Sequence, residues 1–190
     1  MSKPLIEDTD YSGVNFNDEI LEPGDYENCT FQNCILSKQD LTDYNFMECE
    51  FLNCDMTAVK LDNTGLKSIK FTGCKLLGVR FEVCNPFALA MTFQRCILNL
   101  TSFHGMNLKN SSFYTCNLIE TDFSEADLSG IIIRDCNLSN ALFDRTNLQK
   151  ADLKKSFNFI IDPEENNIKN AKFSVDSITG LLDKYDIIID

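Results

Sequence analysis

The chain has 190 residues, is 44% hydrophobic, and carries 29 acidic against 17 basic side chains for a net charge of −12. It is long enough to bury a core of its own, and its long-range field opposes an approach to nucleic acid. No apolar run reaches the ~18 residues of a membrane span, the start "MSKPLIEDTDYSG" has no signal-like apolar segment, and there is no low-complexity run, so a single soluble, cytoplasmic domain is expected.

From Phe16 to Phe81 every fifth residue is large and apolar, which makes 14 sites. A helix turns through roughly 500° in five residues and would scatter these side chains around its axis. A flat strand would put residues five apart on opposite faces. The spacing fits a chain that turns a corner every fifth residue. A large residue i and a smaller residue i−2 point inward, and the others face out or form the bend.

Between Phe81 and Phe93 lie 12 steps where ten are expected, so "EVCNPFALAMT" (82–92) inserts two residues and shifts the register. Pro86 there removes a backbone donor, which suits a bulge or kink. The period then resumes from Phe93 to Leu153 with 13 more sites, and all 27 are apolar. At this composition the chance probability is on the order of 10⁻¹⁰, so the repeat is the fold.

Cysteines set the size of a coil. Cys29 and Cys49, then Cys34, Cys54 and Cys74, then Cys96, Cys116 and Cys136 recur at intervals of 20, and Phe alternates with Leu from Phe93 to Leu148. Four fives per coil make a square section. All nine cysteines, Cys84 included, fall at the small inward i−2 position, with no CxxC and no nearby His, so they read as reduced core residues and no metal or cofactor is expected. His104 is the only histidine and follows inward Phe103, which places it outward on the surface. With no phosphate loop and no acid–base pair, no enzyme is expected.

After "LKKSFNFIIDPEENN" and "NAKF" the period changes. Val175, Ile178, Leu181, Leu182 and Tyr185 follow helical spacing behind Ser174 as candidate N-cap, and Ile187–Ile189 read as a short strand. The sequence thus divides into a repeat region, 1–173, and a tail, 174–190. That tail serves either to cap the open end of the repeat or to join two chains.

Runs such as "SEADLSG", "CNLSNALF" and "TNLQKADL" resemble the pentapeptide-repeat family, and the resemblance covers roughly residues 12–173. It implies an all-β fold, a right-handed quadrilateral parallel β-helix, here with a short C-terminal helix and strand. The ending "NNIKNAKFSVDSITGLLDKYDIIID", with "KLLGVRF" and "FQRCILNLTSFHG", is similar to a branch that includes albicidin-resistance, microcin-immunity and quinolone-resistance proteins. That resemblance implies a homodimer joined through Val175, Ile178, Leu181, Leu182, Tyr185, Ile187 and Ile189. It also implies protection of DNA gyrase or topoisomerase from a drug or toxin by a rod that imitates duplex DNA. The long projecting loops of some quinolone-resistance members are absent.

Seven coils at ~4.8 Å give a rod of about 33 Å, a length of DNA that carries roughly 20 phosphates. The charge is of the right sign and smaller. Residues 1–55 carry 13 acidic and two basic groups, residues 56–119 two and seven, and residues 120–190 fourteen and eight. The basic middle (Lys60, Lys67, Lys70, Lys75, Arg80, Arg95, Lys109) does not imitate phosphate. Glu120, Asp122, Glu125, Asp127 and Asp135, the densest acidic run of the last segment, are the candidate partner contacts. The alternative is a structural scaffold for another protein partner.

Overall fold

The computed structural model describes residues 3–188. The chain winds as a right-handed quadrilateral parallel β-helix in which residues 20 apart lie one above the other. All 27 large apolar positions are buried, 26 of them at 5% exposure or less and Phe143 at 9%. They form one continuous core along the rod axis.

Eleven short strands occupy two of the four sides. On the first side, β1 (Leu5–Glu7), β3 (Asp25–Glu27), β5 (Asn45–Met47) and β7 (Gly65–Lys67) pair in parallel. On the second lie β2 (Asp10–Ser12), β4 (Thr30–Gln32), β6 (Glu50–Leu52), β8 (Ile69–Thr72), β9 (Met91–Gln94), β10 (Ser112–Tyr114) and β11 (Ile132–Arg134). Single bridges extend this second ladder from Ile132 through Asp152 to Lys172. Bridges alone build the third side, unbroken from Asn15 to Phe157, and the fourth, which contains Asp40, Lys60, Arg80, Ser102, Asp122 and Leu142.

Most corner residues, two after the large one, take a left-handed conformation, as at Asn33 (φ 54°), Ala58 (φ 53°) and Glu120 (φ 55°). That conformation costs an ordinary L-residue about 1 kcal/mol or more. The inter-coil ladder offsets it, because the corner N–H bonds the next coil: Lys38 N donates to Thr57 O at 2.8 Å and Glu120 N to Ser139 O at 2.9 Å.

Packing follows the two inward positions. On the second side Tyr11, Phe31, Phe51, Phe71, Phe93 and Phe113 stack ring on ring at 4.8–5.2 Å. On the opposite fourth side Phe81, Phe103, Phe123 and Phe143 do the same at 4.8–5.4 Å. The two stacks meet edge to face across the axis, as in Phe103–Phe113 at 5.5 Å. At i−2 a small donor reaches a carbonyl of the preceding coil: Cys54 Sγ to Phe31 O at 3.2 Å, Thr64 Oγ1 to Leu41 O at 2.7 Å, Ser156 Oγ to Ile133 O at 2.8 Å. All nine cysteines are free and buried. Burial pushes the Cys49 thiol up to about 11 and that of Cys84 to about 12.

The two-residue insertion is absorbed at one corner. A 3₁₀ turn, Phe81–Val83, follows Arg80, and Ala88 takes a left-handed φ of 55°. The fourth-side ladder lacks its rung between Lys60 and Arg80, and the first-side ladder lacks its rung between Asn85 and Asn107. Pro86 stands where an N–H would reach Asn107 O. Between these two gaps all four sides are bridged, at Gly65↔Asn85, Lys70↔Thr92, Lys75↔Ile97 and Arg80↔Ser102.

The tail departs from the expected helix and strand. Val175–Leu181 and Asp183–Tyr185 are 3₁₀ helices, and the Ser174 side chain caps neither: its Oγ accepts from Lys155 N at 2.8 Å. Ile187 and Ile188 follow without strand pairing, and Ile189 lies outside the described residues. Gly180 is required where it stands, since a Cβ would run into the carbonyl of Phe159, while its own carbonyl accepts from Ile161 N at 2.9 Å.

Candidate functional site: an acidic side and an apolar end

The fourth side collects the acidic groups. Its outward positions hold Glu22, then Asp40 and Asp43, Asp62, Glu82, Asp122 and Glu125, Asp144, and finally Asp162, Glu164 and Glu165 between third-side Phe157 and first-side Asn167. Against these eleven carboxylates stand Lys60, Arg80, Arg145 and Lys184, a net of −7 out of the −12 of the whole chain. From the level of Glu22 to that of Glu164 are seven coil steps of ~4.8 Å, or about 34 Å. That is about one carboxylate per 3 Å, close to the ~3.4 Å axial spacing of phosphates along one strand of duplex DNA.

Local bonds hold several of these groups ionised. Hydrogen bonds from Thr42 hold the Asp40 carboxyl below the usual range, helped by Lys60 at 3.6 Å. Lys184 bonds Asp162 and Glu164 and lowers both. Arg145 does the same for Glu125.

The candidate contacts read from the sequence are spread by the coil. Asp122 and Glu125 lie on the acidic side; His104 Nδ1 sits 3.9 Å from Asp122 and is exposed, as expected. Glu120 occupies the corner leading into that side, and Asp127 starts the next, paired with Lys109 at 2.7 Å. Burial raises the Asp127 carboxyl, and the bonds from Lys109 and Ser129 outweigh it to leave it lowered. Asp135 stands at the corner between the second and third sides, away from the others. The remaining acidic-side residues escaped a reading along the chain. Counting in steps of 20 would have found them, because Asp62 and Glu82 share one column, as do Asp144 and Glu164 across the inserted pair.

The basic middle is largely neutralised coil to coil. Lys60, Lys70 and Lys75 face Asp40, Glu50 and Asp55 of the coil before at 3.6, 2.7 and 3.8 Å, and Arg80 bonds Glu82 at 2.8 Å. Lys67 lies over the ring of Phe87, 5.2 Å from its centroid. Phe87, on the insertion loop, is 71% exposed. Two clefts flank that loop. One of about 270 Å³ opens at the missing rung between Lys60 and Arg80, and one of about 300 Å³ lies among Cys84, Pro86, Leu89 and Met106.

Of the tail residues, Leu181 is buried against the rod end and Leu182 is half-buried. Val175, Ile178, Tyr185 and Ile187 are exposed, as is Ile188, at 46–91%. The tail therefore covers the coil end with Leu181 and part of Leu182, and leaves Val175, Ile178, Tyr185, Ile187 and Ile188 as exposed apolar side chains. Among the described residues no cluster of His, Cys, Asp and Glu could hold a metal ion, and no helix is long and apolar enough to cross a membrane.

Fold and surface together define a solenoid protein of the quadrilateral β-helix class. Two family models, the pentapeptide repeat region over residues 24–103 and pentapeptide repeats over 92–124 and 121–157, together span 24–157, and the chain belongs to the pentapeptide-repeat family. Two trypsin-treated variant structures of QnrB1, a plasmid-mediated fluoroquinolone resistance protein, share the fold. One has 17% identity and a TM-score of 0.65 over 98% of this chain and 100% of that one. The other has 19% and 0.64 over 97% and 99%. No curated protein sequence matches.

Proposed function

We propose that the protein is a non-enzymatic binding rod that occupies the DNA-binding groove of DNA gyrase or a related topoisomerase and protects it from a drug or toxin. The observation that carries this reading is the acidic side: eleven carboxylates over about 34 Å on one flank of a narrow rod, at nearly the axial spacing of DNA phosphates. The likeness in fold to a fluoroquinolone resistance protein supports the choice of enzyme. Asp122 and Glu125 supply contacts near the middle of that side, with Glu120 and Asp127 at its borders. In this reading two chains join through Val175, Ile178, Tyr185 and Ile187, whose exposed surface exceeds what a cap needs. The acidic sides then continue across the junction.

A second reading, a scaffold for another protein partner, is favoured by exposed Phe87, an apolar projection that duplex DNA does not have. A supercoiling assay separates the two. Purified protein should inhibit gyrase or relieve its poisoning by a drug, in competition with DNA and less strongly as salt rises. Absence of any effect on the host's own gyrase, with protein in large excess over enzyme, removes the first reading.

A further inference from the structure

Within the rod each coil recognises the next in three ways. Backbone N–H and C=O groups of the residue before each large one pair down the ladder, as when Asp55 N donates to Cys34 O at 3.0 Å. Large apolar residues stack. Acidic and basic groups meet in the outward columns, as in Glu50–Lys70, Asp127–Lys109 and Glu125–Arg145.

At the N-terminal end all three are offered with nothing opposite them among the described residues. Strand β2 is the last of its sheet, and by the ladder's direction the N–H and C=O of Asp10 and the C=O of Ser12 point off the rod without hydrogen bonds. Tyr11 stacks one ring face on Phe31 at 4.8 Å and is only half-buried, as are Ile6 and Val14, whereas Tyr26 and Phe31 one coil in are buried completely. Between Lys3 and Lys38 there are eight carboxylates and no basic residue, and among the described residues none of the eight enters an ion pair. Glu7, Asp8 and Asp10 lie on the rim itself, exposed. A second copy of this end would bring like charges together, so it does not fit.

We propose that this end is a docking edge for an extended basic segment of a partner protein, which adds as one more parallel strand on β2. Such a segment presents an apolar residue to the open face of Tyr11 and Lys or Arg at the two flanking outward positions, opposite Asp10 and the rim carboxylates. This surface is separate from the acidic side and stands whether or not gyrase is the partner there.

The test uses a fluorescein-labelled peptide, Lys-Val-Lys-Phe-Lys-Val-Lys, followed by polarisation and by amide hydrogen exchange of the full chain. The peptide should bind, slow exchange at the Asp10 amide, and leave amides of the fourth side unchanged. Alternate N-methylation, which removes the peptide's donors and keeps its charge, should weaken binding by about tenfold. Asp10→Lys should weaken it similarly, and Asp176→Lys at the opposite end should not. Equal binding of the N-methylated peptide would show plain charge attraction, and with it, or with no binding at millimolar peptide, the proposal fails. The rim carboxylates would then serve only to keep edges apart.

Discussion

Phe103→Ala tests the core at its most connected point. The side chain is fully buried, lies between Phe81 at 4.8 Å and Phe123 at 5.4 Å in its own stack, and meets Phe93 and Phe113 edge to face at 6.1 and 5.5 Å. Truncation removes the transfer energy of the ring and leaves a cavity that flat ladders above and below cannot close, which together cost about 4 kcal/mol. With a urea slope of about 3 kcal/mol per M for a chain of this size, the unfolding midpoint should fall by roughly 1.3 M. Phe87→Ala, on an exposed ring of the same size, should shift stability by about 0.5 kcal/mol or less. Equal midpoints for the two variants would refute the inward assignment and the stacked core.

Replacing Asp40, Asp43, Asp62 and Asp144 by Asn should weaken any effect on gyrase more than the amide replacement of Asp127 and Asp135, measured in the supercoiling assay with folding checked by circular dichroism. Truncation after Phe173 should leave a monomer or an aggregating chain, read by light scattering; a full-length monomer at high concentration removes the dimer. The Asp152 carboxyl is held low by the Arg134 hydrogen bond, so the native state binds its proton less readily than the unfolded chain. The stability it adds is complete above the unfolded value of ~3.9 and is lost as pH falls through the depressed folded one, a slope that Asp152→Asn should flatten in acid titrations followed by fluorescence. Thiol reagents should find no fast-reacting cysteine until denaturant exposes all nine.

The inward half of the molecule was legible because its code is local. Phe113, Leu118 and Phe123 repeat every five residues whatever the coil does, and four fives were visible in the cysteine column. The outward half was not, because its neighbours are 20 residues apart. Lys60 belongs with Asp40, and a segment that reads as a basic belt along the chain is partly cancelled around the rod. The same rule dispersed the run from Glu120 to Asp135 over three sides. Apolar spacing announced a helix at Val175, but its hydrogen-bond pattern was set by docking: Gly180 must lie against Phe159, and Asp186 ends the segment in a left-handed conformation at φ 49°. The insertion at 82–92 was located by counting, while the 3₁₀ turn that takes it up depends on contacts from both neighbouring coils.

The missing rungs at that turn have a mechanical consequence. Nearest-neighbour coupling makes a solenoid's cohesion a chain of joints in series. Here the turn below the insertion lacks the Lys60–Arg80 rung and the turn above it lacks the Asn85–Asn107 rung, whereas Gly65↔Asn85, Lys70↔Thr92, Lys75↔Ile97 and Arg80↔Ser102 are all made between them. Under load applied along the axis, force at those two turns concentrates on the rungs of the sides that remain, among them Glu50↔Lys70 and Asp55↔Lys75 below and Thr92↔Ser112 and Ile97↔Asn117 above. Stretched between its ends, the rod should part first at one of these two weakened turns, and the pieces should yield afterwards as separate events.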